Sequence, residues 1–216
     1  MFKNMPAPIL NTFISAGAII IGSLLGAYCT WIITMKNTKI NLAEQKKILY
    51  ENIKYEKMFQ HKKLCEYANI IRLDICTALY QSIRTMNKYE SGGEVYKILI
   101  PLNKRYSAVI AALSHSYELE ELSYIYQLFG IIETINHITL QNKHEYAEED
   151  YEKRLIEGYK SFVKKLYVSH YTEILAWDIE KVSYKELYDN SFIDKKYRNI
   201  LIKLDELCNS NIQSIE

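Results

Sequence analysis

The sequence predicts an all-α membrane protein with one N-terminal transmembrane helix, a juxtamembrane helical stalk and a cytoplasmic helical bundle. Three observations carry that prediction. No residue from Asn4 to Met35 is charged; neither Gly nor Pro occurs between Lys36 and Ser91, where apolar residues recur at helical spacing; and no alternating strand pattern bounded by turn residues is found. The expected divisions are a short N-terminal segment (1–8), the transmembrane helix (9–35), a basic helical stalk (36–63), the bundle (64–209) and a C-terminal tail (210–216).

The apolar core from Ile9 to Met35 exceeds the roughly 20 residues that a hydrocarbon layer of about 30 Å requires. It is too long for the apolar region of a cleaved signal peptide, and Ala16-Gly17-Ala18 leaves too short a stretch before it to serve as a cleavage site. Tyr28 precedes Cys29 where lipid attachment wants a small residue. Lys3 alone precedes the span, whereas Lys36, Lys39, Lys46, Lys47 and Lys54 follow it, so the positive-inside rule places the C-terminal domain in the cytoplasm, at the inner membrane of the cell. Ala18, Gly22, Gly26 and Thr30 recur every four residues as a small-residue stripe, the kind of face on which two membrane helices pack closely.

Charge is uneven along the chain although the formal net charge is +1. Lys36 to Lys63 carries eight Lys against three Glu, while Ser116 to Glu157 carries ten acidic against three basic residues. The five lysines named above are the expected membrane-surface contacts, since each basic residue beside an anionic leaflet contributes about 1 kcal/mol. Interspersed Glu44, Glu51 and Glu56 argue against a nucleic-acid stripe. Cys29, Cys65, Cys76 and Cys208 show no C-x-x-C spacing, and free thiols in a reducing compartment are expected. Nineteen Tyr and abundant Ile, Lys and Asn suggest an AT-rich coding genome, bacterial or phage.

Past the membrane, one long helix or two joined by a kink are expected up to Ser91, with Asn41 and Glu44 as a capping box that would mark a break. The stalk suggests a coiled coil, with irregular heptads. Gly92-Gly93 ends this stretch, and Pro101 suits the first turn of a helix running to Leu113. Ser116 is expected to open a helix with Leu119, Leu122, Ile125, Phe129, Ile132 and Ile135 on one face. A third helix is expected from Tyr146 to Lys181, with Leu155, Tyr159, Phe162, Leu166, His170, Ile174 and Trp177 as its apolar side. Ser183 and Glu186 form a capping box, and Ser191 begins the last helix, with Ile200, Leu204 and Leu207 inward.

Chemistry-bearing patterns are sparse. None of the five histidines follows a Glu by three residues, as a di-iron bundle requires, and no Arg is followed by His at the four-to-six-residue spacing of helical ribonucleases. Glu133 with His137, His144 with Glu148, His115 with Glu118 and His170 with Glu173 each place two ligand types on one helix face, without a third or fourth ligand to complete a metal site. No P-loop, dinucleotide fingerprint or G-x-S-x-G occurs. The expectation is therefore no enzyme, no cofactor and no metal. The expected protein is a membrane-anchored, non-catalytic interaction domain whose partners are membrane lipid and either another protein or a second copy of itself. A self-associating effector that permeabilises the bilayer and a membrane-tethered enzyme with an unrecognised site are the alternatives. Tyr117, Tyr124, Tyr126, Tyr146, Tyr151, Tyr159, Tyr167 and Tyr171 either fill the core with their hydroxyls at its edge or line a binding surface.

Overall fold

A computed structural model describes residues 6–93, 98–141 and 148–209. Every regular element among them is helical. Helix α1 runs Ala7–Glu90, α2 Tyr106–Ala112, α3 Leu119–Leu140, α4 Glu148–Tyr167, α5 Tyr171–Leu175, α6 Tyr184–Tyr188 and α7 Lys195–Asn209, with 3₁₀ turns at Leu113–His115, Val168–His170 and Ile179–Lys181. The chain forms two compact units, Met1–Lys57 and Met58–Glu216.

The first unit is helix from Ala7 onward. It contains an 18-residue window of mean hydropathy 1.8, none of it buried, and is long and apolar enough to cross a membrane. Asn41 and Glu44 do not interrupt α1. A cap matters only where the chain leaves the helix, and no Gly or Pro forces it to do so here.

The second unit is built around a continuous apolar core. The C-terminal part of α1 contributes Ala68, Ile71, Ile75, Leu79, Ile83 and Met86, spaced three or four residues apart on one face. Leu122, Ile125, Phe129, Ile132 and Ile135 of α3 are buried as their periodicity predicts, as are Leu155, Tyr159, Phe162 and Leu166 of α4 and Ile200 and Leu204 of α7. Helices α3 and α4 pack together. Gly158 permits their close approach, since a Cβ there would lie 3.1 Å from Ile135 Cγ1. Helix α1 ends where expected: Gly92 adopts φ +75°, and the Gly93 N–H donates to the Lys88 carbonyl at 3.0 Å.

Several helix boundaries differ from the sequence expectation, each for a visible reason. Pro101 opens no helix. Asn136 on α3 accepts the Ile100 N–H at 2.8 Å and donates to the Ile100 carbonyl at 2.9 Å, while Asp74 accepts the Asn103 N–H at 3.1 Å, so the segment is held out of helix until Tyr106. Ser116 lies at the end of a 3₁₀ turn, and Glu118, extended at φ −72° and ψ 156°, starts α3 by donating its N–H to Glu121 Oε2 at 2.9 Å. Leu119 is consequently 84% exposed, not part of the buried face.

The long third helix is broken. It ends at Tyr167 because Val168 adopts φ 48°, and His170 sits exposed beside Glu173 at 3.5 Å, outside the core expected for it. Its expected start, Tyr146, falls outside the described residues. The Ser183–Glu186 capping box is present, with the Glu186 N–H donating to Ser183 Oγ at 3.3 Å and the Ser183 N–H to Glu186 Oε2 at 2.7 Å. Ser191 does not begin the last helix: Asn190 Oδ1 accepts the Phe192 and Ile193 N–H groups, and α7 starts at Lys195 behind Asp194.

Candidate functional site

The positions picked from the sequence lie on α1. Ala18, Gly22, Gly26 and Thr30 are exposed, and a Cβ added at Gly22 or Gly26 would meet nothing within 4 Å. Lys36, Lys39, Lys46, Lys47 and Lys54 are exposed as well. Hydroxyl groups on this helix turn inward to its own backbone: Thr12 Oγ1 donates to the Pro8 carbonyl at 2.9 Å, Ser23 Oγ to Ile20 at 2.8 Å and Thr30 Oγ1 to Gly26 at 2.8 Å. That internal satisfaction is compatible with a hydrocarbon surround, and Ser82, Thr134 and Thr139 of the second unit bond their own helices in the same way.

Two of the grooves in the second unit bear on the candidate residues. One, of about 500 Å³, is formed where the 99–106 segment crosses α3 and is lined by Leu99, Leu102, Lys104, Tyr106, Glu133, His137 and Leu140. The Asn136 clamp on Ile100 fixes its floor. Leu99 and Leu140 are 48% and 66% exposed, while Tyr106 stacks on Phe129 at 4.6 Å. Burial, followed by a hydrogen bond to Glu133, raises the Tyr106 hydroxyl above its ordinary pKa. The Glu133 and His137 pair singled out by spacing therefore lies in this groove, with His137 Nε2 3.2 Å from Gln141 Nε2. One carboxylate and one imidazole in an open, largely apolar cleft offer a polar rim around an apolar seat.

The other groove, of about 350 Å³, is lined by Asn69, Arg72, Leu73, Cys76, Tyr184, Lys185, Tyr188 and Asp205. Arg72 pairs with Asp205 of α7 and lies over the Tyr188 ring, 5.5 Å from its centroid. Burial raises the Tyr188 hydroxyl and pushes the Cys76 thiol up to about 12. The Arg72–Asp205 pair was not foreseen from the sequence, where its only signal is an arginine set beside the buried stripe of α1.

The remaining histidine pairs do not converge. His115 and His170 are exposed at separate 3₁₀ turns, and His144 lies outside the described residues. Among the described residues no group of three or more His, Cys, Asp or Glu is placed to hold a metal ion. The tyrosines divide. Tyr151, Tyr159 and Tyr167 are core residues whose hydroxyls donate to the carbonyls of Thr139, Ile98 and Leu187, whereas Tyr126 is 40% exposed.

The cysteine expectation is corrected in part. Cys65 on α1 and Cys208 on α7 form a disulfide across 143 residues, with Cα atoms 4.8 Å apart. Partners brought together by folding leave no local spacing to read. Cys76 is free and buried, as expected of a small hydrophobe. Compared with family models, curated proteins and solved structures, the chain matches none of them.

Proposed function

We propose that this chain is a single-pass membrane-anchored protein whose helical bundle faces the cytoplasm and binds another protein through the groove between the 99–106 segment and α3. The observation that carries this reading is a pair of exposed leucines, Leu99 and Leu140, at a groove whose floor is fixed by the two hydrogen bonds between Asn136 and Ile100. A rigid floor lowers the ordering cost of binding, and exposed apolar side chains ringed by Lys104, Glu133 and His137 match the apolar centre and polar rim of protein interfaces. The anchor reading is supported by the apolar, unburied N-terminal helix, and the orientation by the lysines that follow it. Those lysines are also the proposed contacts with lipid headgroups.

Photo-crosslinking from a reactive residue placed at Leu140, in native membranes, tests the reading. A discrete protein adduct that disappears with Leu99→Asp, and persists when Gly22 and Gly26 are changed to Leu, is the expected result. Absence of any protein adduct, or an adduct indifferent to Leu99→Asp, would refute the groove as an interface.

A further inference from the structure

One pair among the four cysteines is placed to bond, and its surroundings differ from those of the other two. Cys65 and Cys208 are both half-buried, at the edge of the core rather than inside it. Cys76 is 2% exposed, and burial keeps its thiol protonated and inert. Helix α7 is held by more than the sulfur bond. Arg72 pairs with Asp205, Lys203 Nζ donates to Glu121 Oε2 at 2.6 Å, and Tyr197, Ile200, Leu201 and Leu204 are buried. Among the described residues beyond Asp205 none is fully buried: Glu206 and Asn209 are exposed, and Leu207 and Cys208 pack half-buried against the edge of the core. Cutting the sulfur bond therefore leaves α7 docked and loosens its last turn.

We propose that Cys65 and Cys208 form a reversible redox tie that fastens the last turn of α7 to α1 when oxidised and releases it when reduced. The proposal rests on the cytoplasmic orientation given above, because a reducing compartment holds the pair as two thiols at rest. In closing, the thiolate of one cysteine attacks a small-molecule disulfide of the glutathione class, expelling one small thiol and leaving a mixed disulfide. The second cysteine thiolate then attacks the protein sulfur of that mixed disulfide and expels the second small thiol. Two electrons pass from the protein to the small disulfide, and the two protons given up by the cysteines end on the released thiols. Opening is the reverse exchange.

The test uses the full chain. Cells expressing it are quenched with acid, and the thiols are counted by a mass-tagging maleimide before and after brief treatment with a thiol oxidant. Cys65 and Cys208 are expected to be tagged in untreated cells, protected after oxidation and tagged again on recovery. In purified protein in detergent, backbone amides of residues 206–209 are expected to exchange about tenfold more slowly in the oxidised form, with α3 unchanged. Cys208→Ser should give the faster rate under both conditions. A pair that stays reduced after oxidant, a pair already bonded in untreated cells, or equal exchange at 206–209 in both forms would overturn the tie. Orientation is read separately by labelling Ser91→Cys with an impermeant maleimide in intact cells. Labelling there refutes the cytoplasmic reading and the resting dithiol, while the exchange measurement in detergent still decides whether the bond fastens α7.

Discussion

The N-terminal helical unit and the unit Met58–Glu216 spend the same kinds of side chain in opposite ways. Phe13, Ile19 and Leu24 in the first are 64%, 72% and 65% exposed, whereas Ile71, Phe129 and Phe162 in the second are fully buried. Apolar composition alone therefore does not make a core. In the second unit, residues three and four apart on several helices find one another, and water is excluded by protein. In the first, the apolar side chains are left outward along a run from Asn4 to Met35 that carries no charge, an arrangement that suits lipid as the surrounding medium.

The largest effect should come from charging the first unit. Replacing Leu24 and Leu25 together by Arg adds roughly 5 to 7 kcal/mol to the cost of insertion, taking about 2.5 to 3.5 for each charge near the centre of a spanning helix. The double variant is expected in the alkali-extractable fraction, with the thermal unfolding of the second unit unchanged. Retention in the membrane pellet would break the contrast between the units, because it would show that the apolar helix is not what holds the protein there. Next in size is Phe162→Ala. This side chain is fully buried on α4, and the cavity left behind should destabilise the second unit by about 3 to 5 kcal/mol in denaturant unfolding, without changing membrane retention. A loss below about 1 kcal/mol would mean that the site collapses onto the cavity and that the core is loosely packed.

How much of this was legible beforehand follows from the range of the interactions involved. The helical class, the stop at Gly92-Gly93, the Ser183–Glu186 cap and the buried stripes of α3 and α7 are local patterns, visible at spacings of one to four residues. The late starts of α2 and α7 are set by side chains that compete for backbone groups, and for α2 the decisive one, Asn136, is 36 residues from the Ile100 it clamps. The Arg72–Asp205 pair and the Cys65–Cys208 bond join positions 133 and 143 residues apart, beyond any periodicity. The groove was half legible: the spacing of Glu133 and His137 put them on one face, but nothing in the sequence placed Leu99 and Leu140 beside them.

Val168 offers the smallest effect and the finest test, because here a local preference is overridden outright. A β-branched residue at φ 48° is disfavoured, since its Cβ crowds the neighbouring carbonyl, and the left-handed conformation costs an L-residue about 1 to 2 kcal/mol. Its side chain is 56% exposed and returns little burial energy to offset that cost. The surrounding structure enforces the bend: Tyr167, immediately before it, is buried and donates to the Leu187 carbonyl at 2.6 Å, and the Asp194 N–H donates to the Leu166 carbonyl at 2.8 Å. Val168→Asn keeps a side chain, tolerates positive φ and should raise stability by about 1 kcal/mol, a shift of about 2 to 4 °C in the unfolding midpoint of the second unit. Val168→Ala retains the Cβ and should leave the midpoint nearly unchanged. If Val168→Asn instead lowers the midpoint, the bend is not strained at this residue, and the break between α4 and α5 is held by the contacts of the valine methyl groups.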